Sequence, residues 1–536
     1  MNALVKTLKT CFTILLIGVL GALFCQTKTG AFFEEEFGLE WLFKLRGEIS
    51  PPPDIIIISI DQASAEILHL PDDPEKWPRT HYAQLVKTIN AHNPAIIAFN
   101  IHFGEEREPG DDQKLALAMA EEKNVILSNY LKQKTVPSLS AVGEIRYEQI
   151  IEPAPLFNQA ALGTAPFPIP KTSSTVKEFW TYKHSAGDIP TFPVSIFQYF
   201  VIKETYPEIL QLLSVVDPAL RSTLPDTFNQ LTRKFRTIQI FHDIQTAITS
   251  DESSLRQMRQ LIADAQYPPR IKQLLQSWLA LDRADERHYL NHYGDVGAIT
   301  TVSFYQALTT QILGSKLFHD KIVMIGYSDS LEPEKQQGFY TAYSKASGRV
   351  ISPIEIAATA VANMIDQSWL QPLPSLQQSA LILIFGVLLS SIFLLFSYKS
   401  SMLMTLLLTA SYIGGSIFLF TSKNIWMPLA IPALQAICIF LWQSTVYFIK
   451  VRKVSERYLP KEVFAINTRY PDAMDQFGTL MHGVCMATDA GQYTSLSETV
   501  SPLLLHKLMN NYYAAIFPRV KGRKGLISDV IGDAML

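Results

Sequence analysis

Uncharged runs mark the late part of the chain. Residues 379–398, 401–422 and 425–449 contain no Asp, Glu, Lys or Arg. Each is about twenty residues long, enough for a helix to cross the hydrocarbon core of a bilayer. Short breaks holding Lys399 and Lys423 separate them, and Pro428 and Pro432 sit near the start of the third, where a helix tolerates proline best. A shorter apolar stretch, 11–25, follows Lys6 and Lys9. It has no small-residue cleavage pattern, and Phe24 before Cys25 does not suit a lipoprotein site, so an uncleaved anchor is expected.

Shorter apolar runs punctuate the region between. Residues 55–60, 95–99, 124–127 and 321–325 are unbroken rather than alternating, and they end on Asp61, Asn100, Ser128 and Gly326. Such runs read as strands buried on both faces. Helical spacing over 79–90 and 112–122 alternates with the first three, which predicts an α/β layer with a largely parallel sheet. Residues 204–285 show helical spacing only and predict a helical insertion, a lid or a dimer surface. In an open α/β sheet, ligands sit beyond the carboxyl ends of the strands. Asp61, Asn100 and His102 belong there, with Arg79 as a fourth candidate for an unnamed ligand. The competing reading is that Asp61 caps a helix and Arg79 pairs with it.

Basic residues orient the chain. Lys6 and Lys9 precede the first span, and Lys450, Arg452, Lys453 and Arg457 follow the last. Four crossings put both clusters on the cytoplasmic side, with Lys423 the one dissenting charge. The expected layout is a cytoplasmic N-terminus at 1–10, an anchor at 11–25 and an extracytoplasmic domain at 26–378. Spans at 379–398, 401–422 and 425–449 follow, then a juxtamembrane linker at 450–478 and a cytoplasmic segment at 479–536. None of the three late spans contains an ionisable side chain of the kind that transporters and channels need. The net charge of −3 and the lack of a basic stripe argue against a nucleic-acid partner. The four cysteines, Cys11, Cys25, Cys438 and Cys485, all lie outside 26–437, which excludes a disulfide framework in the external domain.

The cytoplasmic segment has its own pattern. A strand-like run opens onto Asp489, an amphipathic helix covers 502–517, and Gly532–Asp533 sits between apolar stretches as a hairpin turn would. Strand, helix and hairpin together can place Asp489 and Asp533 side by side, where two carboxylates can hold divalent ions that clamp phosphates. On spacing alone, two ordinary turns explain the same residues.

Two resemblances add to this reading. FKLRG (43–47), IIIISID (55–61), WPRTHYAQL (77–85), AFNIHF (98–103) and DKIVMIG (320–326) resemble the second subfamily of CHASE-type extracellular sensors. Such sensors precede histidine kinases and nucleotidyl cyclases, and the family layout of anchor, sensor and three membrane helices matches this chain. The sequence departs at Asn100, where Asp is usual, and at Ala357, where SPIEIA (352–357) usually ends in His. TDAGQYTSLSE (488–498) with VIGDAML (530–536) resembles the start of a class III nucleotidyl cyclase. That resemblance makes Asp489 and Asp533 ligands of two Mg2+ or Mn2+ ions and puts Ala490, Gly491 and Thr494 near the triphosphate. It implies a homodimer converting ATP or GTP to the 3′,5′-cyclic nucleotide at the inner membrane. Asp529 stands where many members have a Lys that recognises adenine, and an acidic residue there would accept from guanine instead. The family's later half is not matched, so the segment ending at Leu536 is expected to be inactive alone. The alternative is a non-catalytic membrane sensor or scaffold. The fold expected is therefore a multi-domain membrane protein: an α/β sensor with a helical insertion, four transmembrane helices embedded in lipid, and part of an α+β (ferredoxin-like) cyclase domain.

Overall fold

The computed structural model describes residues 15–137, 144–170, 175–234, 244, 252–281, 286–309, 316–327, 339–345, 347–458, 484–523, 525, 527, 530–531 and 533–535. Lys6, Lys9, residues 11–14 of the anchor, 459–478 of the linker, Asp529 and Gly532 lie outside that set. Contacts divide the chain into two units. One is Leu20–Ile382 with Ala410–Pro432; the other is Met1–Val19, Leu383–Thr409 and Ala433–Leu536.

The first unit is built on a sheet in the order Thr301–Ser303, Ile55–Ile60, Ile322–Tyr327, Ile96–Phe99, Val125–Pro137. These neighbours run parallel, with Ile58 beside Ile325, Ile325 beside Phe99, and Phe99 beside Leu127. Val125–Pro137 then pairs with Gly163–Pro166 in parallel and, further along, with Glu144–Ile151 in antiparallel fashion. The strand pleat sends alternate side chains to opposite faces. Ile55 and Ile57 therefore enter one core, and Ile56, Ile58 and Ile60 the other. Helices Arg79–Asn90 and Pro109–Glu122 cover the second face through Tyr82, Leu85, Leu115 and Met119.

The opposite face is covered by Phe192–Val216 and Pro353–Asp366. Here the sequence reading needs correcting. The helical part starts at Phe192 rather than near 204, and Phe192, Ile196, Phe197 and Phe200 are buried in the main core. Residues 192–202 of this helix are all buried, as a helix that is apolar on nearly every side must be.

Among the described residues three helices are long and apolar enough to cross a membrane: Ser375–Leu395, Tyr398–Lys423 and Ala430–Arg452. Their ends differ from the uncharged runs because a helix accommodates Lys399 in its first turn and Lys450 and Arg452 in its last ones; the third continues to Tyr458. A further helix, Leu15–Cys25, bends by 85° into Lys28–Arg46. Within the second unit, a Cβ on Gly386 would lie 2.5 Å from Gly18 Cα, so glycine permits the close approach of these two helices. Gln435 donates to the Ile17 carbonyl at 3.0 Å, and Gln443 donates to Ser401 Oγ at 2.9 Å.

Candidate functional site

A cleft of about 700 Å³ lies at the carboxyl ends of the parallel strands of the first unit. Asn100 and His102 follow one strand end, Ser128 and Asn129 extend a second, and Tyr327 closes a third. Asp72 and Asp73 form an acidic wall, Phe167, Ile169 and Pro353 an apolar one, and among the described residues no Lys or Arg lines the cleft. His102 Nδ1 and Asn129 Oδ1 are buried without a hydrogen-bond partner among the described residues. The Asn129 amide reaches Thr164 Oγ1 at 3.3 Å. Unpaired polar atoms beside aromatic surface give the cleft the character of a small-molecule site.

The four residues expected here do not form one cluster. Asn100 and His102 line the cleft. Asp61 touches a smaller adjoining cavity with Asp72 and Tyr327, but its carboxylate is already engaged. It accepts the Ser64 N–H at 2.8 Å as a helix N-cap, the Ser64 hydroxyl at 2.5 Å and the Ser303 hydroxyl at 2.6 Å. Capping is thus its role, as its D-x-x-S spacing allows. Arg79 is not at the cleft and does not pair with Asp61. It is buried against Asp112, 3.7 Å from Nε to Oδ1, with its guanidinium 4.5 Å from the centre of the Phe103 ring. The Asp112 carboxylate also accepts the Arg107 N–H at 2.6 Å. Asp72, Asn129, Tyr130 and Tyr327 were missed, although the rule that placed Asn100 also applies to Ser128–Tyr130 at the next strand.

The cytoplasmic segment gathers its residues more nearly as expected. Val530–Ile531 and Ala534–Met535 form an antiparallel hairpin, with Asp533 in the turn. Thr488 joins it through paired backbone bonds with Met535, 2.9 and 3.0 Å. This bridge is all the strand that the run before Asp489 makes among the described residues. It brings Asp489 against Asp533: the hydrogen bond and negative charge of Asp533 push the Asp489 carboxyl above the usual range. Ala490 N–H donates to Asp533 Oδ2 at 3.2 Å. Gly491 has open space where a Cβ would be, and Thr494 lies exposed in the helix Tyr493–Thr499. The helix Pro502–Gly522 extends the expected one and leaves Leu503, Leu504 and Leu508 exposed.

The chain joins a parallel α/β domain with a polar cleft at its strand ends to helices of membrane length, which is compatible with a membrane protein. The CHASE2 domain family matches residues 13–392, and the chain belongs to that family. Its CHASE2 domain suggests extracellular signal sensing. Comparison with curated proteins and with solved structures gives no match in either case.

Proposed function

We propose that this protein is a membrane receptor whose sensor takes a small extracytoplasmic ligand and whose cytoplasmic segment is part of a class III nucleotidyl cyclase. In this reading the chain crosses the bilayer four times, with 26–378 outside and both termini in the cytoplasm. The family match ends at residue 392, so the cyclase half rests on the cytoplasmic residues themselves. The observation that supports it is the juxtaposition of Asp489 and Asp533 by the hairpin and the Thr488–Met535 bridge. Two turns serving only as turns have no need to bring like charges together.

A divalent ion fits this arrangement. The two carboxylates offer hard oxygen donors, and the strain between them is relieved by a cation. Among the described residues no group of three or more His, Cys, Asp or Glu surrounds them, so a nucleotide's phosphates and water would complete the shell. Bound there, Mg2+ or Mn2+ would neutralise phosphate charge and lower the pKa of an attacking hydroxyl. The Ala490 N–H keeps Asp533 oriented, and the open space at Gly491 leaves the backbone accessible to a triphosphate. Exposed Leu503, Leu504 and Leu508 are apolar surface that a second subunit would cover, in keeping with a homodimer.

Manganese binding by the full chain in lipid nanodiscs tests the reading, followed as loss of the free-ion electron paramagnetic resonance signal. Asp489→Asn and Asp533→Asn should each weaken binding at least tenfold, an estimate from the loss of one of two charged ligands. Unchanged affinity in both variants would refute the metal assignment.

A further inference from the structure

The helix Lys28–Arg46 has two unlike faces. Several of its polar groups turn into the sensor unit. Glu35 accepts from the Tyr289 hydroxyl at 3.1 Å, Glu36 pairs with Lys177 and Lys345, and Arg46 donates to the Tyr343 hydroxyl at 3.1 Å. Leu39, Leu42 and Phe43 are buried beside them. The opposite side carries an exposed apolar stripe, with Phe32 56% exposed, Phe37 49%, Trp41 56% and Leu45 47%; Lys44 lies beside it, paired with Glu40, and Lys177 sits over the Phe32 ring. The step from Phe32 to Phe37 spans a π-helical turn, Glu34–Gly38, whose longer repeat keeps this stripe in phase where a regular α-helix would rotate it away.

Three observations fix the level of this stripe. The helix leaves Leu15–Cys25 through a break of two residues, Gln26 and Thr27, at 85°. Glu34 accepts the backbone N–H groups of Leu429 and Ala430, 2.9 and 3.0 Å away, at the start of the last apolar helix. Phe43 meets Phe420, near the end of the preceding one, with ring centres 5.2 Å apart. The helix therefore packs against the end of Tyr398–Lys423 and the start of the helix at Ala430.

We infer that Lys28–Arg46 is an interfacial helix that seats the sensor on the bilayer, with Phe32, Phe37, Trp41 and Leu45 inserted at the lipid headgroup boundary. Aromatic side chains favour that region, and helices lying in its plane bury their apolar face about 5–10 Å deep. The inference rests on the reading of Leu15–Cys25 as a membrane anchor.

Spin labels at single cysteines test it in the full chain, with the four native cysteines replaced by serine and the protein held in nanodiscs. Labels at Phe37 and Trp41 should show oxygen-to-nickel accessibility ratios several-fold above that at Leu117, an exposed sensor residue, and below that at Leu20 in the anchor. A water-accessible label at Leu20 would overturn the anchor and the inference with it. A deep Leu20 label with water-accessible Phe37 and Trp41 labels would overturn the inference alone. So would Phe37 and Trp41 labels at bilayer-centre depth, the sign of a broken span, or dipolar broadening between copies, the sign that a second chain covers the stripe. In the chain with native cysteines, Trp41→Phe should reduce tryptophan quenching by brominated lipid; no change would count against the seat.

Discussion

The carboxylate of Glu34 accepts the backbone N–H of Leu429 at 2.9 Å across a separation of 395 residues. It accepts those of Ala430 and Ile431 as well, so one buried side chain satisfies the three N–H groups at the start of this helix, the next residue, Pro432, having none.

Removing that carboxylate should weaken the fold. Glu34→Ala leaves buried donors without an acceptor, a loss on the order of 1–3 kcal/mol. Glu34→Gln keeps one carbonyl oxygen and should lose less. Thermal unfolding of the full chain in nanodiscs measures the ranking, and equal stability of wild type and Glu34→Ala would contradict it.

The Arg79–Asp112 pair predicts a different pattern. Both side chains are almost fully buried. Asp112→Asn leaves a buried guanidinium without its counter-charge and should cost about 3–5 kcal/mol, whereas Arg79→Met with Asp112→Leu should recover more than half of that. Denaturant titrations of the two variants decide the point. A double variant as unstable as the single one would mean that the charges themselves hold the helices together.

Glu355 predicts a pH dependence. Burial raises its carboxyl to about 7; the Gly297 N–H and Arg349 oppose the rise, and Asp295 adds to it. The folded state therefore keeps a proton that the unfolded chain has released between roughly pH 4.5 and 7. Stability due to this group is full below that range and falls as pH rises through it, by up to about 3 kcal/mol. Glu355→Gln should flatten this slope. Unfolding midpoints between pH 5 and 8 that remain parallel in the two proteins would show that another group sets it.

Asp489 and Asp533 predict both a titration and an activity. Since the hydrogen bond and charge of Asp533 hold the Asp489 carboxyl high, Asp533→Asn should return it toward the ordinary aspartate range. Carboxyl-carbon NMR of the metal-free protein reports this directly. When the chain is fused in frame to the later half of a class III catalytic domain, either Asp→Asn change should remove nearly all cyclic nucleotide formation. Near-native turnover with manganese in either variant would rule out the ligand roles.

Local order was set by the sequence. The apolar run 55–60 gives the strand Ile55–Ile60, the spacing over 79–90 gives the helix Arg79–Asn90, and Asp533 sits in the turn between Val530–Ile531 and Ala534–Met535. The strand and the helix each depend on residues within a turn or two of one another, so periodicity suffices for them. The partners of the charged residues were decided only in the tertiary structure. The sequence left open whether Asp61 caps a helix or faces a ligand, and it gave no reason to join Arg79 to Asp112 or Glu34 to Leu429. Those pairings depend on which strands lie side by side and where helices cross, because a buried charge takes whichever partner the packed chain brings within reach. The same holds for the cleft. Strand ends nominated Asn100 and His102, but only the order of the sheet brought Asn129, Tyr327 and Asp72 to the same opening.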